Sequence, residues 1–389
     1  MTHKTRRITS LVLAFALIFA LAASGCTAKD DTATETETSK VTQVKLGFAA
    51  PLTGDNAVYG LGMKRAVELA FKEANFDEDI KAKGYEFVLR AEDDQGDPKQ
   101  AVNVANALAG DTEVVGVIGH FNSGCSIPAS TVYDKAGLTM ISVSSNPELT
   151  TKGYKVVNRI VAKDDAQGNY AAELLLDKMG YKKVAVVDDS TQYGQGLAQE
   201  FVKEFTAKGG TVMANEKIQS KEVDFSALVT KLKDLAPAAV YFAGAHTEGA
   251  LITKQMKEAG FAVPLIGGDL IFADDFISLA GAANAEGDIA TILGLPLEQQ
   301  PRGADFKAAY EAEYGEAPQA YDSYAYDQAW IYVNAIMQVG PDRAALIDAV
   351  RSGSFDGVTG VTEFDANGDT KNQVISWYNV KNGKWAQGE

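Results

Sequence analysis

The chain has 389 residues, of which 46% are hydrophobic and 23% are charged, and its formal net charge is −16. At roughly 150 residues per domain, this length predicts two to three domains, each large enough to bury its own core. A surface this acidic repels phosphate backbones and anionic lipid headgroups, so we exclude nucleic acid as a partner. Two cysteines and three histidines leave few ligands for a zinc or iron–sulfur site, and we expect neither a metal nor a cofactor.

The amino terminus differs from the rest of the chain and has the pattern of an export signal. Lys4, Arg6 and Arg7 precede an uncharged apolar run over residues 11–23. This run is shorter than the roughly 20 residues that cross a bilayer. A basic start, a short apolar run and small residues are typical of a secretory signal. The junction that follows resembles the lipobox of bacterial lipoproteins and reads Leu21-Ala22-Ala23-Ser24-Gly25-Cys26.

The lipobox resemblance implies that residues 1–25 are removed and that Cys26 is lipidated. The alternative is an ordinary signal peptide with an incidental cysteine. Residues 26–41 are rich in Thr, Asp and Glu and cannot form a packed core, so we interpret them as a flexible tether. The mature protein is therefore expected outside the cytoplasm, at the cell surface or in the periplasm, held by lipid to a membrane that it does not span.

Short apolar strands alternate with amphipathic helices from residue 42 onward. Asp97 is a candidate N-cap of one helix, with Pro98 at its first position. Another helix is predicted by apolar residues at helical spacing, namely Met63, Ala66, Val67, Ala70 and Ala74. The predicted strands are residues 44–49, 114–118, 139–143, 184–187, 239–243 and 265–267. This alternation predicts an α/β fold with parallel sheets in doubly wound units.

A short motif occurs twice, each time after a predicted strand and before a predicted helix. The two copies are Tyr59-Gly60-Leu61-Gly62 and Tyr193-Gly194-Gln195-Gly196. They suggest two similar α/β lobes, each presenting a tyrosine at the carboxyl end of its sheet, where open α/β sheets bind ligands. The alternative is the chance recurrence of a common tetrapeptide.

The carboxyl-terminal region has the pattern of short antiparallel strands. Asn367-Gly368 and Asn382-Gly383 each lie between β-prone residues, and such pairs favour hairpin turns. Asp365, Asn367 and Asp369 have the alternation of a calcium loop, but the glycine and the missing final glutamate favour a turn instead.

The motifs of known enzymes are weak in this sequence. After loss of the signal only His120 and His246 remain as histidine bases. Ser123 and Cys125 lie near His120, but not in a Gly-x-Ser-x-Gly elbow. We therefore predict a protein without catalytic activity, and keep a hydrolase that uses Ser123 or Cys125 as the alternative.

The same segments are better interpreted as a binding cleft. Ser123 follows a strand and begins a predicted helix, where a hydroxyl and free amides bind an anion. Ser144 and Ser145 follow the next strand, although serines are also common in simple turns. Asp269 follows a strand in the second half, either as a partner for an ammonium group or as a solvated loop acid. A carboxylate site in one lobe and an ammonium site in the other together specify an α-amino acid.

From about residue 44 to residue 385 the chain resembles the extracytoplasmic leucine/isoleucine/valine-binding proteins of ABC transporters. The matching stretches are Pro51-Leu52-Thr53-Gly54, Ala57-Val58-Tyr59-Gly60, Asp93-Asp94-Gln95-Gly96-Asp97-Pro98-Lys99-Gln100-Ala101, Ile118-Gly119-His120, Pro147-Glu148-Leu149-Thr150, Asp165-Ala166-Gln167-Gly168, Gln192-Tyr193-Gly194-Gln195-Gly196, Asp224-Phe225-Ser226 and Gly267-Gly268-Asp269. The resemblance implies a type I periplasmic-binding-protein fold with two doubly wound, Rossmann-like lobes joined by three crossover segments. One lobe would comprise residues 42–161 and 291–362, and the other residues 162–290 and 363–389.

The resemblance also implies roles for single residues. Ser123 matches the serine that holds the ligand's α-carboxylate, and Asp269 takes the place of the acid that binds the ammonium group. Tyr59 and Tyr193 match aromatic residues that line the cleft, one from each lobe. A further loop contributes a carbonyl and a hydroxyl to the ligand; it is one residue shorter here, which leaves the assignment open among Ser144, Ser145 and Asn146.

The sequence departs from this family in two respects. The disulfide found in many members would fall on Gly96 and Asn122, so it is absent and Cys125 is an unpaired thiol. Ala245 stands where those proteins have a cleft tyrosine, which opens volume for a larger or more polar ligand side chain.

The resemblance implies a monomeric substrate-binding lipoprotein that captures an amino acid, branched-chain or apolar, by hinge closure and delivers it to an ABC permease in the membrane. Two alternatives stay open. One is a different small ligand, such as a polar amino acid, an amide or a small carboxylate. The other is a sensory ligand-binding module of the same fold.

Overall fold

The computed structural model describes residues 41–388. The predicted signal, the lipidation site Cys26 and nearly all of the predicted tether lie outside this range. Within residues 41–388, no helix is both long enough and apolar enough to cross a membrane.

Fourteen strands and fourteen α-helices make up the described chain. The strands are β1 (Thr42–Ala50), β2 (Tyr85–Asp93), β3 (Val114–Gly119), β4 (Thr139–Ser142), β5 (Val157–Arg159), β6 (Lys183–Asp188), β7 (Thr211–Lys217), β8 (Ala239–Ala243), β9 (Leu265–Gly267), β10 (Ile289–Leu293), β11 (Ser354–Gly357), β12 (Gly360–Glu363), β13 (Ile375–Lys381) and β14 (Lys384–Gln387). The helices are α1 (Ala57–Phe76), α2 (Glu78–Ala82), α3 (Pro98–Gly110), α4 (Ser123–Ala136), α5 (Glu148–Thr151), α6 (Asp164–Glu173), α7 (Gln192–Ala207), α8 (Ser226–Leu235), α9 (His246–Glu258), α10 (Asp274–Ala280), α11 (Ala282–Ala285), α12 (Gly303–Tyr314), α13 (Asp322–Val339) and α14 (Arg343–Ser352).

Two large sheets share one strand order. The first has the order β2-β1-β3-β4-β5 and is parallel throughout. The second has the order β14-β13-β10-β9-β8-β6-β7, in which β7-β6-β8-β9-β10 repeats the topology of the first sheet. This is the doubly wound arrangement with the order 2-1-3-4-5. The expectation of two similar α/β units is therefore confirmed.

Apolar periodicity correctly predicted the main strands and the face of α1. All of β3 is buried, as expected for a parallel strand covered on both faces. The five residues predicted to form the apolar face of α1 are buried, and Asp97 caps α3 by accepting hydrogen bonds from two backbone amides.

The chain passes between the two sheets three times. It leaves the first sheet after β5 and forms β6 to β10 in the second sheet. It then returns, as shown by α13 and α14, which pack against the first sheet. The Tyr332 hydroxyl of α13 donates to the Thr139 carbonyl at 2.7 Å, and Arg343 Nε of α14 donates to the Val114 carbonyl at 2.7 Å. The third passage follows β12 and ends at β13, which pairs antiparallel with β10.

Both predicted carboxyl-terminal turns are confirmed. Asn382 and Gly383 have positive φ values of 55° and 71° and join β13 to β14 as a two-residue hairpin. Residues 365–369 form the second turn, in which Asp365 accepts hydrogen bonds from the amides of Asn367 and Asp369. The Asp369 side chain instead pairs with Arg159.

Candidate functional site

Ser123 lies at the amino terminus of α4, directly after the first sheet. Its side chain is 2% exposed. The amides of Cys125 and Ser126 are bonded to the Asn122 carbonyl, whereas those of Ser123 and Gly124 lie in the first turn, before intrahelical bonding begins. The first turn carries no acidic side chain. A hydroxyl and free amides at the positive end of a helix can bind a carboxylate.

The loop after β4 carries the small hydroxyl residues, and its three candidates differ in what they contact. The Ser144 hydroxyl donates to the Phe121 carbonyl at 2.8 Å. The Asn146 amide donates to the Gln192 carbonyl at 2.8 Å. The Ser145 carbonyl accepts from the Asp164 amide at 3.0 Å, and its hydroxyl lies beside the Asp164 carboxyl. Ser144 and Asn146 are thus held in protein contacts by their side chains.

Arg159 fixes the same loop from beneath. It is fully buried, and its guanidinium donates to the carbonyls of Ser144 at 3.0 Å and Asn146 at 2.7 Å. Arg159 also pairs with Asp369 at 2.8 Å. The loop conformation therefore depends on an ion pair whose partners are distant in sequence.

Asp269 follows β9 and begins a short 3-10 turn, Asp269–Ile271. Its carboxylate accepts hydrogen bonds from the Tyr193 hydroxyl, at 2.9 Å, and from the Tyr321 hydroxyl. Burial raises the pKa of Asp269, and the hydrogen bonds from Tyr321, Gln167 and Tyr193 oppose that rise. A buried carboxylate with only hydroxyl and amide donors around it is a suitable partner for an ammonium group.

Three aromatic rings in mutual contact, those of Tyr59, Phe121 and Tyr321, form an aromatic wall beside Asp269. Tyr59 stacks on Phe121 with centroids 5.2 Å apart, and Tyr321 meets both rings edge-on. The Tyr59 hydroxyl donates to the Leu270 carbonyl at 3.1 Å, a contact between the two halves of the chain. The wall offers an apolar surface to a ligand side chain.

The structure brings five of the six predicted residues to one small cavity. Its volume is about 10 Å³, room for about one water molecule. The lining residues are Phe121, Asn122, Ser123, Val143, Ser144, Ser145, Tyr193, Asp269, Leu270 and Tyr321. Tyr59, the sixth, lies behind Phe121 and does not line this cavity.

One detail of the repeated motif was wrong. Tyr59 and Tyr193 lie inside the first turns of α1 and α7, not in the turns that precede these helices. The Asn56 carbonyl accepts from the Tyr59 amide, and Thr191 caps α7 through its hydroxyl, so both helices begin earlier than the apolar spacing indicated.

Tyr321 and Phe121 line the same cavity but were not predicted from the sequence. Phe121 lies two residues before Ser123, within the loop already singled out. Tyr321 lies just before α13, far from the other site residues in sequence, and no local motif distinguishes it.

Two of the groups considered for catalysis, His120 and Cys125, are not arranged as a base and a nucleophile. His120 Nδ1 lies 2.7 Å from Asp94, and its Nε2 lies 2.9 Å from the Tyr133 hydroxyl. Burial raises the pKa of the Cys125 thiol, which disfavours the thiolate. His120 is therefore not oriented as a base toward Ser123 or Cys125.

The structure also places the positions at which the sequence departs from the resembled family, namely Gly96, Asn122 and Ala245. A Cβ atom built on Gly96 would lie 3.3 Å from Asn122 Oδ1, so the two positions of the missing disulfide are neighbours. Ala245 is the half-buried N-cap residue of α9 and is not among the residues that line the cavity.

Two sheets that share the five-strand order 2-1-3-4-5, with a helix amino terminus and a buried acid around one cavity, form the architecture of a binding protein of the type I periplasmic fold. Residues 43–384 match the family described as "Periplasmic binding protein", and the chain belongs to that family.

Named relatives agree with this assignment. The chain is 37% identical over 348 residues to Leu/Ile/Val-binding protein homolog 1 of Brucella melitensis, covering 89% of this chain and 91% of that protein. Among solved structures, it resembles a leucine-binding protein of Thermotoga maritima with a TM-score of 0.82 and 29% identity, over 89% and 98% of the two chains. It also resembles a branched-chain amino acid transporter substrate-binding protein of Streptococcus pneumoniae in complex with isoleucine, with a TM-score of 0.80 and 26% identity, over 88% and 98% of the chains.

Proposed function

We propose that this protein is the substrate-binding component of an ABC importer and captures an α-amino acid with an apolar, branched side chain. The observation that carries the proposal is the placement of Ser123 and Asp269 around one cavity. A group for a carboxylate and a group for an ammonium then lie within the reach of a single small molecule. The names of the Brucella and Streptococcus proteins, a Leu/Ile/Val-binding protein homolog and a branched-chain amino acid transporter substrate-binding protein, support the branched-chain class.

The ligand's carboxylate would bind the Ser123 hydroxyl and the first amides of α4. Its ammonium group would bind Asp269, with the Ser145 hydroxyl beside it. Since the overall charge of the chain repels anions, these local donors must hold the carboxylate. The side chain would pack on Phe121 and Tyr321, with Tyr59 supporting Phe121 from behind.

Capture would proceed by hinge closure between two lobes, residues 42–161 with 291–362 and residues 162–290 with 363–389. The boundary at residue 291 falls inside β10, which spans Ile289–Leu293. A cavity of about 10 Å³ is far smaller than an amino acid, so the groups around it must separate before a ligand enters. A ligand that contacts both lobes stabilises the closed conformation relative to the open one.

The cellular setting follows from the sequence and the family. Family membership supports an extracytoplasmic location. Removal of residues 1–25 and lipidation of Cys26 would anchor the protein to the membrane, next to the permease that receives the ligand. The protein would act as a monomer, because one chain supplies every group of the site.

A polar amino acid is the second candidate, and a specific observation favours it. Ala245 replaces a tyrosine of the resembled family, and the neighbouring His246 is 3% exposed, with an Nδ1 atom that has no partner among the described residues. His246 meets the Tyr59 ring edge-on with centroids 5.8 Å apart, so a polar ligand side chain that extends past Tyr59 would satisfy that atom.

Calorimetric titration with each of the twenty amino acids tests the proposal. We expect the lowest Kd for leucine, isoleucine or valine. A lowest Kd for a polar amino acid would support the second candidate, and absence of binding to all twenty would refute both.

A further inference from the structure

Asp164, the first residue of α6, is a buried carboxyl that the proposed binding scheme does not use. It is 0% exposed, and neither carboxyl oxygen makes a hydrogen bond of good geometry with another described residue, although the Ser145 hydroxyl lies beside the carboxyl. Burying a carboxylate without partners is costly, and the group avoids that cost by holding a proton. Such a group therefore needs an explanation.

Asp164 lies directly beside the proposed ammonium site. Its amide donates to the Ser145 carbonyl at 3.0 Å, and Ser145 lines the cavity. A Cβ atom built on Gly196, one turn after Tyr193 in α7, would lie 3.5 Å from Asp164 Oδ2. The side chain of Gln167, one turn after Asp164 in α6, stabilises the ionised form of Asp269 by hydrogen bonding. The two acids thus share one polar environment.

The charges around Asp164 do not neutralise it. Arg159 of β5 is the cation that acts on it, but this guanidinium is already bonded to Asp369 and to two carbonyls. Asp164 interacts electrostatically with six titratable groups. These are Asp165 of its own helix, Arg159 of β5, Tyr193 of α7, Tyr241 of β8, Asp269 after β9 and Tyr321 before α13. Burial raises the pKa of Asp164 to about 8; the Ser145 hydroxyl opposes that rise, and the charge of Asp269 adds to it.

We propose that Asp164 is a proton-coupled positioning residue of the ammonium site: it is protonated before capture and releases its proton when the ligand's ammonium group binds beside Asp269. This inference rests on the proposed function. In this step the O–H bond of Asp164 breaks and the proton passes to solvent. The new carboxylate is compensated by the ligand's positive charge, so that two acids face one ammonium group.

Proton release makes the affinity depend on pH in a defined direction. Below pH 8 binding must remove the proton, so the affinity rises with pH, by up to about tenfold per unit. Above pH 8 Asp164 is already ionised, and the affinity no longer rises for this reason.

Calorimetry in two buffers measures the released proton directly. The amino acid with the lowest Kd in the screen is titrated into the protein at pH 7, in phosphate and in Tris, whose ionisation enthalpies differ. We expect the wild-type enthalpies to differ by the equivalent of about one proton per ligand, and the Asp164→Asn variant to bind with nearly equal enthalpies. Asp288→Asn is the matched control, since Asp288 is equally buried but bonded to Thr253 Oγ1 at 2.7 Å and to the Leu265 amide at 2.9 Å. It should release the proton as the wild type does.

Equal wild-type enthalpies in the two buffers, with normal binding, would overturn the inference. Undiminished release by a folded Asp164→Asn variant would overturn it as well. If that variant does not fold, titration of the wild type at pH 9 is the test. Most Asp164 carboxyls are then ionised before the ligand binds, so the proton release must be much smaller than at pH 7. Absence of binding to any amino acid is a different outcome and refutes the proposed function itself.

Discussion

At Asp269, burial and hydrogen bonding act against each other on a single carboxyl group. Burial raises its pKa, while the hydroxyls of Tyr193 and Tyr321 stabilise the charged form. The tyrosines come from distant parts of the chain, so the folded molecule creates a polarity that the local sequence does not have. A ligand ammonium group would complete this arrangement by adding a full positive charge.

Replacement of Asp269 by Asn tests its proposed role. The variant keeps the shape of the side chain but removes the charge, so we expect amino-acid binding to weaken by about 2–5 kcal/mol. Calorimetry measures the change in Kd. Asp274→Asn is the control, because Asp274 is an exposed acid of the nearby helix α10 and should bind as the wild type does. Unchanged affinity of the Asp269 variant would show that Asp269 is only a loop acid.

Arg159 shows how a single buried residue can stabilise a site that it does not line. It joins the loop after β4 to the turn around Asp369, and both partners of this ion pair are buried. Removal of Arg159 leaves the buried Asp369 carboxylate with a single, more distant cation, Lys163 at 3.5 Å.

The Arg159→Met variant should lose about 3–5 kcal/mol of unfolding free energy, because the buried Asp369 then keeps only the partly exposed Lys163, 3.5 Å away, as a cationic partner. Urea denaturation measures this loss. Lys371→Met removes one partner of an exposed pair, Lys371–Glu363 at 2.9 Å, and should change stability little. Equal effects of the two variants would contradict the structural role of Arg159.

Helix α1, which carries Tyr59, is held in place by close packing at its first turn. Gly60 in α1 lies so near the preceding loop that a Cβ atom there would come within 2.0 Å of the Pro51 carbonyl oxygen. This contact fixes the start of α1, and with it Tyr59, which supports the aromatic wall.

The Gly60→Ala variant should lose about 1–3 kcal/mol of stability through overpacking. Gly110→Ala provides the matched control, since Gly110 ends α3 with no atom within 4 Å of an added Cβ. That change should be neutral or stabilising, by about 0.4–1 kcal/mol. Thermal unfolding of both variants tests this, and a Gly60→Ala variant as stable as the wild type would contradict the packing argument.

At the scale of the whole molecule, the described residues, 41–388, form one compact unit, and several contacts join its two large sheets across the cleft. Tyr59 reaches Leu270, and Asn146 reaches Gln192. We expect these contacts to break and re-form with each cycle of ligand entry, since the cavity between them is too small to admit an amino acid.

A disulfide across the cleft should lock the molecule in this form. A Cβ atom at Gly124 would lie 3.7 Å from the Cβ of Gln192, within the range of about 3.5–4.5 Å found in disulfides. The oxidised Gly124→Cys/Gln192→Cys double variant should not bind amino acids, and a reducing agent should restore binding. The two single variants are the controls. Normal binding by the oxidised, cross-linked protein would rule out the need for opening.

The sequence alone determined the fold class, the main strands, the Asn-Gly hairpin and five residues of the cavity. These features depend on local patterns: apolar periodicity, capping residues, turn residues, and polar groups that follow parallel strands at one edge of a sheet. The residues after the strands already suggested a carboxylate site at Ser123 and an ammonium site at Asp269, and the family resemblance assigned the same two roles to these residues.

Only the tertiary structure revealed Tyr321 beside Asp269, the ion pair between Arg159 and Asp369, and the unpaired carboxyl of Asp164. Each of these joins segments far apart in the chain, and no local spacing predicts which distant side chain will meet a buried charge. The physical reason is that burial, which sets the cost of an unpaired charge, is a property of the packed molecule and not of any segment within it.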